Sequence, residues 1–505
     1  MYIIMKDRPF RDGKCKKWVW SCGMNIVSLC FIGYVLIVTG GYYAVPARFR
    51  PQWLLVSSLF FYLYADLWCV LYLAFSIIST WACALILDGR KEKAKGLVAL
   101  TVGLNLAVLA AVKYLPLGFG VLERLLKISL PGLGLLVPLG ISYYTLQSIA
   151  YLVDVYRGRT QAQKSLWRYS LYMCFFPIIM QGPICRYEQL APQLYAPHKL
   201  DYGEVKAGMQ LALWGFFKKL VIADRAALLV NQVFNSPDDY AGAQVLAAVL
   251  LFTLQLYTDF SGCVDICRGV AAMLGIDLPE NFRRPLFSTS IKEFWRRWHI
   301  SLSSWFRDYV YIPLGGNRKG LSRQYFNTLV VFTLSGIWHG AGATYMAWGL
   351  LHGLYLVAGA MSLRLRQRLL KRIGVAEDSR GLRLLRQLAC YLLVAFAFLI
   401  FRADSLGQAA HMLLNMLRGF RFEQLVNGAL LTIGLDGADM LVLALSLLVL
   451  LLVSLLQERD SGRERIAGLP LPLRWSAYLL GLFSVLIFGI YGPEYSSAQF
   501  LYMDF

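Results

Sequence analysis

The segment from Trp68 to Leu87 reads WCVLYLAFSIISTWACALIL and contains no charged residue. An α-helix of about 20 apolar residues crosses the hydrocarbon core of a lipid bilayer. Similar segments recur along the chain, and they predict about 11 membrane-spanning helices, with the shorter stretches tilted, re-entrant or interfacial. The apolar stretches lie near residues 22–45, 52–65, 68–87, 97–115, 133–153, 169–181, 207–230, 243–258, 261–275, 325–338, 341–360, 387–401, 438–456 and 475–492.

The composition of the whole chain agrees with a membrane protein. Of its 505 residues, 58% are hydrophobic and 16% are charged, whereas soluble domains contain about 45–50% and about 25%. These values exclude an ordinary cytosolic enzyme and a disordered chain. They also exclude a nucleic-acid-binding domain, despite a formal net charge of +20. We therefore predict an all-α, polytopic membrane protein that forms a single domain over residues 1–505.

The positive charge is concentrated in short runs between the apolar stretches. Lys and Arg in such loops mark the cytoplasmic side and attract anionic lipid. Residues 362–386 are predicted to form a basic cytoplasmic loop, and residues 1–17 a basic N-terminal extension whose orientation stays open. We place Arg48, Arg50 and residues 91–95 in the cytoplasm. The alternative interpretation is that one run docks an acidic carrier protein or a nucleotide-bearing donor.

The familiar signatures of soluble active sites are absent from the sequence. Cys263 and Cys267 lie four residues apart without a second pair to complete a zinc set, and the five histidines show no metal-ligand spacing. No dinucleotide, Walker or nucleophile-elbow motif is present. We predict no metal and no permanently bound cofactor. A membrane-buried base that acts on a hydroxyl is the most economical enzyme interpretation, and on composition alone a transporter or flippase is about as plausible.

Charged, aromatic and histidine residues are dense between residues 257 and 352, where exposed lipid contact would be costly, so we expect the catalytic core there. Four aromatic residues and Leu302 recur every three or four positions from Trp295 to Tyr309. This spacing predicts one helix with an aromatic stripe, which lies at the headgroup level or lines the rim of a cavity that opens there. His299 lies at the edge of this stripe. The alternative is an anchoring helix that contains a hydrogen-bonded structural histidine.

His339 lies in a strongly apolar stretch between Gly336 and Gly340. Burial disfavours the charged imidazolium, so we expect a neutral ring that can accept a proton. A satisfied core histidine is the alternative. In one continuous helix His352 would lie about 20 Å further along the axis and on another face, which makes it a poor partner for His339.

Several sequence blocks resemble the membrane-bound O-acyltransferase (MBOAT) family, in particular its bacterial branch that O-acetylates alginate. They include EFWRRWHISL at residues 293–302 and SGIWHG at residues 335–340. The likeness runs from about Pro46 to about Ala360, and the tail 500–505 looks like a variant of the aromatic end of that branch. The remaining blocks are residues 137–147, 175–177, 181–186, 257–262, 278–285 and 311–318.

The resemblance implies acyl transfer to a hydroxyl across a central tunnel in a bacterial cytoplasmic membrane. His339 corresponds to the general base of the family, and His299 to a second histidine that orients the donor or stabilises the oxyanion. Residues of the same blocks are weaker candidates for lining the donor path: Asn281, Arg283, Arg284, Trp298, Ser335 and Trp338.

The resemblance also implies the substrates and partners. The co-substrate would be a cytoplasmic acyl thioester, either acetyl-CoA or an acyl carrier protein. The acceptor would be an extracytoplasmic polysaccharide or a partner acyltransferase that completes the transfer. The related alternative is D-alanyl transfer from a carrier protein toward teichoic acid. Membrane lipid is an expected partner, and nucleic acid is not.

Overall fold

The computed structural model of the protein describes residues 25–65, 67–87, 94–126, 138, 140–179, 181–457 and 466–491. Within these ranges every regular element is a helix and no strand occurs, which confirms the all-α class. The N-terminal extension 1–17 and the tail 500–505 lie outside the described residues.

The described residues of the N-terminal half form ten α-helices. They are α1 (Leu29–Ala44), α2 (Arg50–Ala65), α3 (Leu67–Leu87), α4 (Lys95–Leu126), α5 (Ile141–Tyr156), α6 (Leu166–Cys174), α7 (Phe176–Ile179), α8 (Tyr187–Tyr195), α9 (Tyr202–Phe216) and α10 (Asp224–Asn235). A π-helical segment, Phe217–Ala223, joins α9 to α10.

The C-terminal half begins with α11, a long and largely buried helix. The α-helices described in this half are α11 (Ala243–Met273), α12 (Ile291–Arg297), α13 (Ile300–Phe306), α14 (Leu321–His339), α15 (Ala343–Met361), α16 (Leu363–Arg372), α17 (Arg380–Arg402), α18 (Leu406–Arg418), α19 (Gly437–Leu456) and α20 (Leu471–Phe488). A second π-helical segment, Arg307–Tyr311, follows α13.

Six helices of the described residues are long and apolar enough to cross a membrane. The number rises to seven if α15 and α16, which meet at a bend of 49°, form one span. The chain is thus a multi-pass membrane protein, and the number of about 11 spans stays a prediction. The six spans are Cys69–Leu87, Lys95–Pro116, Ala243–Met273, Arg380–Arg402, Gly437–Leu456 and Leu471–Phe488.

Helices α9 and α11 pack closely against each other. A Cβ atom built on Gly208 would lie 2.5 Å from the carbonyl oxygen of Gly269, and one on Gly215 would lie 2.5 Å from that of Gly262. Small residues allow such backbone contact, which is the usual way for membrane helices to pack closely. The α9–α11 contact therefore depends on glycine at both levels.

Buried ion pairs continue this contact toward α10. The Lys218 ammonium lies 2.7 Å from Asp265, and Lys219 lies 2.7 Å from Asp224 and 2.8 Å from Asp259. Both lysines belong to the π-helical segment 217–223 and are buried. A buried charge without a partner costs several kcal/mol, so each lysine needs its carboxylate. Asp259 and Asp265, which lie inside the long apolar helix α11, are thus both paired with lysines.

The basic segment 362–386, which the sequence predicts as a cytoplasmic loop, is largely helical, and its side of the membrane stays a prediction. It consists of α16, a short connection and the first turns of α17. No residue of α16 is buried, and Leu363, Leu365 and Leu369 are exposed between its basic residues. The recurring leucines give the segment a helical pattern that its charge concealed.

Candidate active site

The spacing predicted one helix from Trp295 to Tyr309, and this prediction was wrong. α12 ends at Arg297 and α13 begins at Ile300, and His299 between them has a left-handed backbone with φ of 43°. The break is stabilised from another part of the chain. The amide of Arg283 donates to the carbonyl of Arg297 over 2.9 Å, and the amide of Ile300 donates to that of Asn281 over 3.0 Å. Local aromatic spacing carries no information about this partner loop.

His299 is buried, with 1% of its surface exposed. Its Nδ1 lies 3.4 Å from Oδ1 of Asn281, and the same oxygen accepts hydrogen bonds from the backbone amide and the hydroxyl of Ser301. Because Oδ1 accepts from that amide, Nδ1 of the neutral ring must donate, and the lone pair is then on Nε2. Burial lowers the pKa of His299 from 6.5 to about 3, so the ring is neutral near pH 7.

His339 is the last residue of α14 and is buried in an aromatic cage. Its ring centroid lies 4.8 Å from Trp338, 5.1 Å from Trp348 and 5.7 Å from Phe401. The Trp338 indole also packs against His299, with the ring centroids 6.4 Å apart. The structure therefore brings the two predicted histidines to one indole ring, although they lie on different helical segments.

His352 is nearer to His339 than the sequence suggested. The expected 20 Å assumed one continuous helix, but α14 ends at His339 and α15 begins only at Ala343. Both imidazoles consequently pack on Trp348, whose ring centroid lies 5.2 Å from that of His352. Trp295 Nε1 donates to Nδ1 of His352 over 3.2 Å, which is a structural contact between α12 and α15.

The weaker candidates differ in their position relative to the histidines. Asn281 contacts His299 directly, and Trp338 touches both histidines. Ser335 is buried on α14, one turn before His339. Trp298 is buried against Phe282, with ring centroids 5.0 Å apart, and anchors the end of α12.

Two arginine candidates make other contacts. The side chain of Arg283 is 71% exposed and pairs with Glu280 over 3.0 Å. Arg284 has a left-handed backbone with φ of 48°, and its Nη1 donates to the carbonyl of Ser454 over 3.0 Å. These contacts connect the 280–284 loop to solvent and to α19 rather than to the imidazoles.

Two site residues on α4 escaped the sequence analysis. Lys113 Nζ donates to the carbonyl oxygen of Trp338 over 2.7 Å and lies 5.4 Å from the centre of its ring. The Tyr114 hydroxyl donates to the carbonyl of Ile337. A lysine inside the apolar stretch 97–115 is the signal that would have found this contact, because ionisable residues in spans are usually functional.

The comparisons with known proteins identify the class. The sequence model of the MBOAT, membrane-bound O-acyltransferase family, matches residues 56–372, so the chain belongs to this family. It is therefore a membrane O-acyltransferase. The matched range contains Lys113, His299 and His339. Among the described residues, no group of three His, Cys, Asp or Glu side chains is placed to hold a metal ion.

The individual relatives act on alginate, peptidoglycan or teichoic acid according to their names. The chain is 36% identical to the probable alginate O-acetylase AlgI of Pseudomonas syringae pv. tomato over 86% of its own length and 84% of that protein. It is 34% identical to the peptidoglycan O-acetyltransferase of Helicobacter pylori over 65% and 67% of the two chains. A teichoic acid D-alanyltransferase of Bacillus subtilis is 33% identical over 43% and 58%.

Proposed function

We propose that the protein moves an acetyl group from a cytoplasmic thioester to a hydroxyl of an extracytoplasmic polysaccharide, or to a partner enzyme that completes the transfer. The observation that carries the proposal is the meeting of His299 and His339 on the Trp338 indole inside a buried aromatic cage. The names of the alginate and peptidoglycan relatives support acetyl as the group. The relatives come from bacteria, which supports a location in a bacterial cytoplasmic membrane.

In the proposed reaction His339 is the general base. It takes the proton of the acceptor hydroxyl while the hydroxyl oxygen forms a bond to the thioester carbonyl carbon. The carbonyl π electrons move to the carbonyl oxygen, and their return breaks the carbon–sulfur bond. The departing thiolate receives the proton from His339, which restores the neutral imidazole. General base catalysis of this kind contributes about 10²–10⁴-fold.

His299 suits the role of orienting a substrate. Its Nδ1–H is directed at Asn281, so the other ring nitrogen of the neutral imidazole offers a lone pair and no proton. Such a nitrogen accepts a hydrogen bond from a substrate N–H or O–H group. It does not stabilise an oxyanion, which requires a donor.

The D-alanyl alternative has weaker support. The D-alanyltransferase match covers 43% of the chain, whereas the alginate O-acetylase match covers 86%. The assay described next also distinguishes acetyl-CoA from an acyl carrier protein as the donor. Membership of an acyltransferase family counts against the transporter or flippase alternative.

The test uses the purified full chain in nanodiscs with an alginate oligosaccharide as acceptor. Radiolabelled acetyl-CoA and an aminoacyl carrier protein are supplied separately, and transfer of label is followed for wild type, His339→Ala and His411→Ala. We expect acetyl transfer to fall about 10²–10⁴-fold in His339→Ala. His411, whose side chain is 46% exposed and paired with Asp238, serves as the control and should leave the rate unchanged. Normal transfer by a folded His339→Ala protein would contradict the mechanism, and turnover of the carrier alone would favour D-alanyl transfer.

A further inference from the structure

The Trp338 indole is the shared contact of the candidate active site. Its ring packs on His339 and His299, and also on Tyr143 with the centroids 6.1 Å apart. Within the described part of the chain, its Nε1–H is buried and has no hydrogen-bond acceptor. A buried donor without an acceptor costs about 1–3 kcal/mol, so its retention beside two histidines requires an explanation.

Lys113, which lies 225 residues earlier in the chain, contacts Trp338. Its ammonium donates to the Trp338 carbonyl over 2.7 Å and lies 5.4 Å from the ring centre. The lysine lies in the span Lys95–Pro116, and among the described residues no carboxylate pairs with it. A lone cation in a membrane span is expensive, and here its hydrogen bond is made to the residue next to His339.

The chemistry of the site lacks an assigned donor for the carbonyl oxygen of the acyl group. This oxygen gains negative charge when the hydroxyl attacks, and preorganised N–H groups stabilise such a charge. The neutral His299 directs its only N–H at Asn281. The indole N–H is a permanent donor that does not depend on protonation.

We propose that Trp338 Nε1–H donates a hydrogen bond to the carbonyl oxygen of the acyl group, and that Lys113 is the positioning residue that holds Trp338 in place. The inference rests on the proposed acyl transfer. Trp338 is then a catalytic residue, whereas Lys113 acts through its hydrogen bond to the Trp338 backbone and through its position over the indole.

The first variant is Trp338→Phe, which keeps an aromatic ring and removes the N–H. In the nanodisc assay we expect kcat to fall about 10²-fold, since removal of one oxyanion donor has an effect of about 10²–10³-fold. The KM for the thioester should change little, because the hydrogen bond strengthens only as charge develops. The matched control is Trp81→Phe, because Trp81 donates to Gln163 and lies outside the site.

Tyr143→Phe separates the two buried donors at this ring, because the Tyr143 hydroxyl also lacks an acceptor among the described residues. The proposal expects Tyr143→Phe to lose less activity than Trp338→Phe. A folded Trp338→Phe protein with the wild-type kcat overturns it, and so does a loss confined to Tyr143→Phe. If Trp338→Phe lowers the unfolding temperature more than Trp81→Phe does, benzothienylalanine replaces Trp338, because it keeps the bicyclic shape without the N–H. A wild-type kcat for that protein equally overturns the proposal.

The positioning role is tested with Lys113→Met and Lys113→Arg. We expect Lys113→Met to lower kcat, and Lys113→Arg to recover part of the loss because the guanidinium restores a charged donor. Equal activity of both variants and wild type overturns this role. His339→Ala is measured in the same assay, and it distinguishes failure of the proposed function from failure of the role assigned to Trp338. An active His339→Ala contradicts the proposed function itself, whereas an inactive His339→Ala with a normal Trp338→Phe contradicts only the role of Trp338.

Discussion

At the scale of single residues, His299 combines an uncommon backbone conformation with deep burial. A left-handed backbone at a residue other than glycine costs of order 1–3 kcal/mol and persists only where the surroundings enforce it. Here the two backbone hydrogen bonds from the 281–283 loop enforce it. Asn tolerates this conformation better than Ala does, so His299→Asn separates loss of the imidazole from backbone strain.

We predict that His299→Asn folds with an unfolding temperature closer to wild type than His299→Ala, while both lose most of their acyl transfer. The reason is that both lack the imidazole but only Ala adds strain in the left-handed region. Thermal unfolding in detergent and the nanodisc assay measure the two effects. Equal unfolding temperatures of the two variants would contradict the strain argument.

The same residue predicts a pH dependence of stability. The pKa of His299 is lowered to about 3 in the folded chain, against 6.5 as its ordinary value. The unfolded chain therefore binds this proton first, and folded stability falls as the pH drops below about 6.5. We expect the unfolding temperature of wild type to decrease more between pH 7 and pH 5 than that of His299→Asn. Parallel pH profiles would disprove this contribution.

The sequence identified part of the site at this scale. His299 and His339 lie in recognisable blocks, and the structure places both on Trp338. Lys113 was missed because its contact with Trp338 spans 225 residues and no local pattern encodes it. The exposed Arg283 belongs to the same block as Asn281, and sequence alone cannot tell which side chain turns inward.

At the scale of helices, the α9–α11 contact gives a sharp comparison. A Cβ on Gly269 would lie 2.5 Å from the Gly208 oxygen and 2.7 Å from the Ala212 nitrogen, whereas Gly103 on α4 has no atom within 4 Å of the corresponding position. We predict that Gly269→Ala destabilises the protein by about 1–3 kcal/mol through overpacking. Gly103→Ala should be neutral or stabilising because Ala favours the helix. Unfolding in detergent measures both, and equal effects would contradict the close contact.

The buried ion pairs make a second prediction at this scale. Lys219→Met removes the shared cation of Asp224 and Asp259 and leaves two buried carboxylates. Removing one partner of a buried pair typically costs about 3–5 kcal/mol, whereas an exposed pair contributes about 0–1 kcal/mol. Arg159→Met, which breaks a pair whose arginine is 50% exposed, is the control. A Lys219→Met protein as stable as the control would show that the lysine is dispensable.

Sequence patterns predicted helices well and helix ends poorly. Uninterrupted apolar runs such as that of α3 follow directly from hydropathy. The break at His299 was missed, because aromatic and apolar spacing continues through it. The turn between α14 and α15, in contrast, lies close to the gap between the predicted stretches 325–338 and 341–360. The ends of these helices are fixed by contacts from distant segments, and α16 was missed because basic residues outnumber its leucines.

At the scale of the whole molecule, the basic helix α16 is the segment that we expect to contact anionic lipid. This helix follows α15 after a bend of 49°, has no buried residue and carries no acidic residue. We predict that vesicles or nanodiscs rich in phosphatidylglycerol stabilise the protein relative to phosphatidylcholine. Juxtamembrane Lys and Arg each contribute about 1 kcal/mol near an anionic surface. The lipid effect should shrink when five basic residues are changed to Gln: Arg364, Arg366, Arg368, Lys371 and Arg372.

The control for this prediction is ionic strength, because added salt screens surface charge and should reduce the lipid effect in wild type. An undiminished lipid effect in the five-fold variant would place the anionic contact elsewhere on the molecule.

The total number of membrane spans is also a property of the whole molecule. Hydropathy alone suggested about 11 spans, whereas α5 has only 16 residues and buries polar side chains such as Gln147 and Asp154.

The pairing of Lys218 with Asp265 also has a consequence for how the protein is made. The two residues are 47 positions apart, so the lysine leaves the ribosome well before its carboxylate is synthesised. Until α11 emerges, Lys218 lacks this counter-charge, and an unpaired ammonium group inside a bilayer is energetically costly. Membrane integration of α9 and the π-helical segment is therefore expected to finish only together with α11, as one late, coupled step of biogenesis.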